Sequence, residues 1–206
     1  MRSAAAIATV LGAVAGCMSI PIPEVPTREY YVLQDLAPEG ATKPDAAANR
    51  VLLVNPAFTS QFYDTQSLVF SRAPGQRAYY QFAGWTERPG RALGELLARR
   101  LEASGGFRAV AATTAGVRGE VVLHIRLEEF YHDAAGKPGS VRIETTAVLV
   151  DAIERTFIAR RRFVQRAPVA EENARAAVAA FNQATTALLD ELTAWIEHAA
   201  AKPPAR

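Results

Sequence analysis

A single cysteine, three histidines and one run of three arginines are the residues of this 206-residue chain best suited to chemistry or to charge recognition. Acyl transfer needs an activated Ser, Thr or Cys with a base in reach. The chain has no Gly-x-Ser-x-Gly elbow, and Cys17 lies in the N-terminal segment, far from any histidine in sequence. His124 falls within an alternating segment, opposite the face of Val121, Leu123 and Ile125, so it is expected on a solvated or partner-facing side. His132 is expected at a turn, and His198 at a helix end, where a cation suits the dipole. None of the three is paired at metal-ligand spacing, and one cysteine excludes both an internal disulfide and a zinc site built on several thiolates. Neither a cofactor nor a metal is therefore expected. The carboxylate pairs do not suggest acid–base work. Glu128 and Glu129 are strand neighbours that point to opposite faces, and Glu171 and Glu172 are expected in the first turn of a helix. Gly105-Gly106 reads as a helix cap and not as a phosphate loop. On these residues the chain is a poor candidate for an enzyme.

Two candidates for recognition remain. Arg160-Arg161-Arg162 is the one sharp charge run. It reads either as a solvated guard of an edge strand or as a contact for anionic headgroups or an acidic partner. Three adjacent strand residues cannot share one face, which favours the guard. Tyr79 and Tyr80 form the second candidate, since Tyr is common at interfaces, although in a strand it more often packs.

Cys17 has the clearest chemistry. Met1-Arg2-Ser3 is a positive lead, Ala4 to Val14 is an unbroken run of small and apolar residues, and Val14-Ala15-Gly16 precedes the thiol. A positive lead, an apolar run of roughly 7–15 residues and a small-residue cleavage site make a secretory signal. The run is too short to span a bilayer, which takes about 20 apolar residues. With the only cysteine placed directly after it, the site resembles a bacterial lipobox: residues 1–16 are removed and the Cys17 thiol takes a diacylglyceryl group. Two or three acyl chains, at about 0.8 kcal/mol per buried methylene, hold a protein at a membrane. Met18 stands where Asp would favour inner-membrane retention in enteric-type sorting, so it permits outer-membrane delivery, with the inner membrane as the alternative. Pro21, Pro23 and Pro26 then favour an extended tether over residues 17–27.

The rest of the chain, residues 28–206, must fold as one domain. Half its residues are apolar and the net charge is only +2, so it can bury a core, and it lacks the basic excess of a nucleic-acid binder. Tyr30 to Leu33 suggests a first strand, and Val51 to Val54 a strand buried on both faces. Ser67 to Arg72 and Arg77 to Phe82 flank Ala73-Pro74-Gly75-Gln76 as a hairpin. Thr86 to Ala103 turns helical, with Leu93, Leu96, Leu97 and Leu101 on one face and Glu95 and Arg99 as an i,i+4 pair; Phe107 to Ala111 follows as a short strand. Glu120 to Phe130 alternates until Glu128-Glu129 breaks phase, which predicts a bulge. Val141 to Leu149 and Arg155 to Gln165 complete an antiparallel meander. Glu171 to His198 is a long helix with Val178, Phe181, Thr185, Leu188, Leu192 and Trp195 on its apolar face, ended by Lys202-Pro203-Pro204. The pattern predicts an α+β fold: a mostly antiparallel sheet with two amphipathic helices on one face.

Several of these segments together resemble the ABC-type transport auxiliary lipoproteins. They are the lipobox at Cys17, Tyr30-Tyr31-Val32-Leu33, Ser67-Leu68-Val69-Phe70, Tyr79-Tyr80, Trp85, Pro89 with its leucine-bearing helix, and Phe107. The closing run Ala180-Phe181-Asn182-Gln183-Ala184, followed by Leu188, Leu192 and Trp195-Ile196, is the most specific. The resemblance implies a fold similar to the N-terminal domain of TolB. It also implies a membrane-anchored accessory that works with an ABC permease and ATPase and with an MCE-domain protein, moving lipids or other apolar molecules across the envelope. No catalytic residue is carried over, and a homo-oligomer is one arrangement open to it. A lipid-binding carrier or chaperone, with its ligand held between sheet and helices, is the alternative reading.

Overall fold

The computed structural model describes residues 27–37 and 49–201. Cys17, the signal segment, most of the expected tether and the terminal Lys202-Pro203-Pro204 lie outside them. Eight strands form one sheet: β1 (Glu29–Tyr31), β2 (Val51–Thr59), β3 (Ser67–Ser71), β4 (Ala78–Trp85), β5 (Ala109–Ala112), β6 (Val121–Asp133), β7 (Ser140–Asp151) and β8 (Thr156–Pro168). Two helices, α1 (Pro89–Ser104) and α2 (Ala174–Ala200), pack against each other and against the sheet. This is an α+β fold.

Most of the paired residues are antiparallel, in the meander β6–β7–β8 and the hairpin β3–β4. The β3–β4 turn falls at Ala73 to Gln76, where Gln76 N–H donates to the Ala73 carbonyl at 3.2 Å and Gly75 takes φ 74°. The other ladders are parallel. β2 lies between β5 and β6, β3 meets the far end of β6, and β1 lies beside β4. Val51, Leu52 and Val54 are buried, as a strand flanked on both sides requires.

The phase break in β6 sets which side chains reach the core. Leu127 pairs Thr145 and Glu129 pairs Glu144, so Glu128 is the extra residue. The bulge turns Phe130 toward α2, where its ring stacks on Phe181 with centroids 4.3 Å apart. It also sends Tyr131 to the opposite face, under the Arg77 guanidinium. Trp85 from β4 packs edge-on to both phenyl rings, at 5.7 and 5.4 Å. Around this trio sit Leu93, Leu97 and Leu101 of α1 and Leu188, Leu192 and Ile196 of α2, all fully buried.

The helix ends follow local chemistry. Pro89 opens α1, where a missing N–H costs nothing, and Gly105 closes it in the left-handed conformation at φ 70°. At α2 the sequence expectation is corrected. Glu171 and Glu172 precede the helix, because the Asn173 side chain caps it by accepting from the Ala176 N–H at 2.8 Å. Asn is among the best N-cap residues, and its capping geometry sets the first turn three residues later, at Ala174.

The segment after β1 is strapped to the helices. Gln34 N–H donates to the buried Asn182 Oδ1 at 3.0 Å, and Leu36 N–H to Thr186 Oγ1 at 2.7 Å. Asp35 accepts from Arg100 Nη2 of α1 at 2.9 Å, and Arg100 also reaches Asp190 of α2. This pairing with Arg100 holds the Asp35 carboxyl below its usual value against the opposing effect of burial.

Candidate functional site

Strand β4 carries Tyr79 and Tyr80 side by side, and alternation sends them to different surroundings. Tyr79 is 46% exposed and stacks flat on Phe62, with centroids 5.0 Å apart. Tyr80 turns inward, and its hydroxyl lies 2.7 Å from His132 Nδ1. His132 is fully buried inside β6 and not at a turn, so the expectation for it is corrected: the strand runs five residues past the bulge residue Glu128, to Asp133. Its Nε2 lies 2.6 Å from the Pro138 carbonyl oxygen, which can only accept. Nε2 therefore carries the proton, Nδ1 accepts, and the Tyr80 hydroxyl donates. Burial pushes the Tyr80 hydroxyl up to about 12. A hydroxyl raised in this way is the opposite of an acidic nucleophile.

Tyr79 and Tyr80 line a groove of about 310 Å³ together with Phe70, Arg72, Gln81, Ala134 and Glu172. Arg72 sits over the Phe70 ring at 4.9 Å. The tyrosines are legible in the sequence as candidates; Arg72 and Glu172 are not, because only the tertiary fold brings the approach to α2 beside the β3–β4 hairpin.

The arginine run lies on β8, and its members part company as strand geometry demands. Arg161 points toward α2, pairs with Glu191 and lies 4.8 Å over the Phe163 ring. Arg162 points to the other face, where its Nε donates to Glu144 Oε1 at 2.6 Å. Arg160 is exposed on that same face. Glu144 is 4% exposed and also accepts from Arg142 at 2.5 Å, and Arg142 in turn pairs with Glu129, which meets Arg77 at 3.3 Å. The open face thus carries a ladder of alternating charge, Arg77–Glu129–Arg142–Glu144–Arg162. Hydrogen bonds from Arg162 and Arg142 keep the Glu144 carboxyl below its ordinary range although burial pushes the other way. A fully paired ladder is a structural network, with no carboxylate free for acid–base work.

His124 is half-buried, with Asn55 Nδ2 2.9 Å from its Nδ1, and Thr113 donates to the same Asn55. His198 is exposed in the last turn of α2. Among the described residues no group of three or more His, Cys, Asp or Glu side chains converges to hold a metal ion. No described helix is long and apolar enough to cross a membrane.

The fold has relatives among solved structures. The chain is similar to protein XCC0632 of Xanthomonas campestris, of the family DUF330, at 25% identity and a TM-score of 0.76, with 84% of this chain and 96% of that one covered. It is also similar to the crystal structure of an uncharacterized protein at 16% identity and a TM-score of 0.65, covering 82% and 99% of the two chains. No functionally curated protein matches the chain. The sequence matches the family described as ABC-type transport auxiliary lipoprotein component across residues 31–193, from β1 to the last turns of α2. With most of its folded part inside that match, the chain belongs to the ABC-type transport auxiliary lipoprotein family.

Proposed function

We propose that this chain is a non-enzymatic, membrane-moored adaptor of an envelope transport system. In this reading residues 1–16 are a signal peptide, Cys17 receives the lipid, with a fatty acyl group such as palmitate on its new amino terminus, and residues 17–27 are a tether. Residues 28–206 then form a single domain at the periplasmic face of the outer membrane. Its partners are an ABC permease and ATPase and an MCE-domain protein, and the cargo is lipid or another apolar molecule. Family membership across residues 31–193 is the observation that carries this reading. Surfaces that fit docking are the groove beside Tyr79 and Tyr80 and the outward side of the Arg160 to Arg162 run.

The packing favours an adaptor over a lipid carrier. A carrier needs room between sheet and helices, and that layer is filled by Trp85, Phe130, Phe163, Phe181 and a bed of leucines, all at most 2% exposed. Co-purification from native membranes tests the proposal. Recovery of an ABC permease or ATPase and an MCE-type protein with the tagged chain is the expected result. A stoichiometric lipid retained in native mass spectrometry, with no such partner, would move the assignment to a carrier.

A further inference from the structure

Thirteen residues long and, among the described residues, paired only with β7, β8 is an edge strand of unusual reach. The other edges, β1 and β5, are three and four residues long. A long edge presents a row of outward N–H and C=O groups that an extended segment can pair with. Along β8 the residues facing away from α2 include Arg160, Arg162 and Arg166, opposite Val148, Thr146 and Arg142 on β7. Arg162 is satisfied by Glu144, whereas Arg160 and Arg166 are exposed and form no ion pair among the described residues. One row inward, Arg126 on β6 stands exposed beside Thr146, which pairs Arg162.

This placement decides which strand can sit there. A second copy of β8 laid antiparallel about Phe163 would set Arg160 opposite Arg166, and one laid about Arg161 would set Arg160 opposite Arg162. Like charges directly opposite destabilise a strand pair, while opposite charges stabilise it. The same arginines that block self-pairing therefore complement an extended segment with carboxylates at alternate positions. Lipid headgroups could meet the guanidinium groups, but they leave the backbone edge unused.

We propose that β8 is a strand-addition site for an acidic, extended segment of a partner protein, with Arg160 and Arg166 reading its carboxylates. The site rests on the sheet edge and its charges, so it stands or falls separately from membership of any particular transporter. The test uses the full chain in detergent and a capped ten-residue peptide of alternating glutamate and threonine, with a lysine–threonine peptide as control. The glutamate peptide is expected to bind, and to slow hydrogen exchange of the β8 amides at least fivefold. The double variant R160E/R166E is expected to lose at least tenfold in affinity for it and to gain binding of the lysine peptide. Three results would overturn the proposal: no protection of β8 amides in the native chain, protection unchanged by the double reversal, or arginine-dependent binding to anionic phosphatidylglycerol vesicles without peptide-induced protection.

Discussion

Phe181→Ala is the sharpest probe of how the family's closing sequence run works. Phe181 is fully buried, stacks on Phe130 at 4.3 Å and meets Trp85 edge-on at 5.4 Å. Truncating a buried Phe costs about 3–5 kcal/mol. Two aromatic contacts go with it, each contributing about 0.5–1.5 kcal/mol beyond burial, so the upper part of that range is expected. A single domain holds about 5–15 kcal/mol in total, so the variant should still fold but with much of its margin gone. With a urea slope of about 2 kcal/mol per molar, the midpoint should fall by roughly 2 M. Equilibrium urea unfolding followed by tryptophan fluorescence reads this directly, because Trp85 is part of the same cluster. A midpoint within about 0.3 M of the native chain would refute the packing account, and the run Ala180 to Ala184 would then need a role outside the core.

Other consequences follow from single contacts. Asn182→Ala removes the acceptor of the Gln34 N–H and should destabilise by about 0.5–1.5 kcal/mol, with faster amide exchange confined to residues 33–37; exchange mass spectrometry checks it. Tyrosine absorbance on raising pH should include a late phase near pH 12 that Tyr80→Phe removes. Between the ordinary value of 10.0 and that pH the unfolded chain loses its Tyr80 proton first, so stability should fall as pH rises through this window. At the acid end Glu144 works in the opposite sense. Its folded carboxyl sits below the ordinary 4.5, so the ladder's stability is full above that pH and is lost as pH drops below it; Glu144→Gln should flatten this acid limb in a chemical-denaturation series.

What the sequence alone makes legible is what local periodicity and turn chemistry dictate. The leucine face of α1, the Gly105 cap, the Ala73 to Gln76 turn and the bulge at Glu128 each follow from neighbours within a few residues. Long-range pairing is a different matter. Nothing in Val51 to Val54 says that it lies parallel to both β5 and β6, because a strand buried on both faces looks alike for any partners. His132 looks like a turn residue beside Asp133 and Gly136, yet the bulge rotates it into the core and Tyr80, 52 residues earlier, supplies its donor. Asn173 outcompetes the acidic pair before it as a cap, which composition alone does not rank. The candidate site shows the same division. The arginine run and the tyrosine pair stand out as residue types, but which arginines are satisfied depends on Glu144 and Glu191, set by sheet register and helix packing.

The adaptor reading depends most on the lipidation proposed for Cys17. Intact-mass and N-terminal peptide analysis of the chain extracted from bacterial membranes measures it directly. The account predicts a first residue Cys17 carrying a diacylglyceryl thioether and no trace of residues 1–16. A chain that keeps its leader, or starts at any other residue with an unmodified Cys17 thiol, would contradict it.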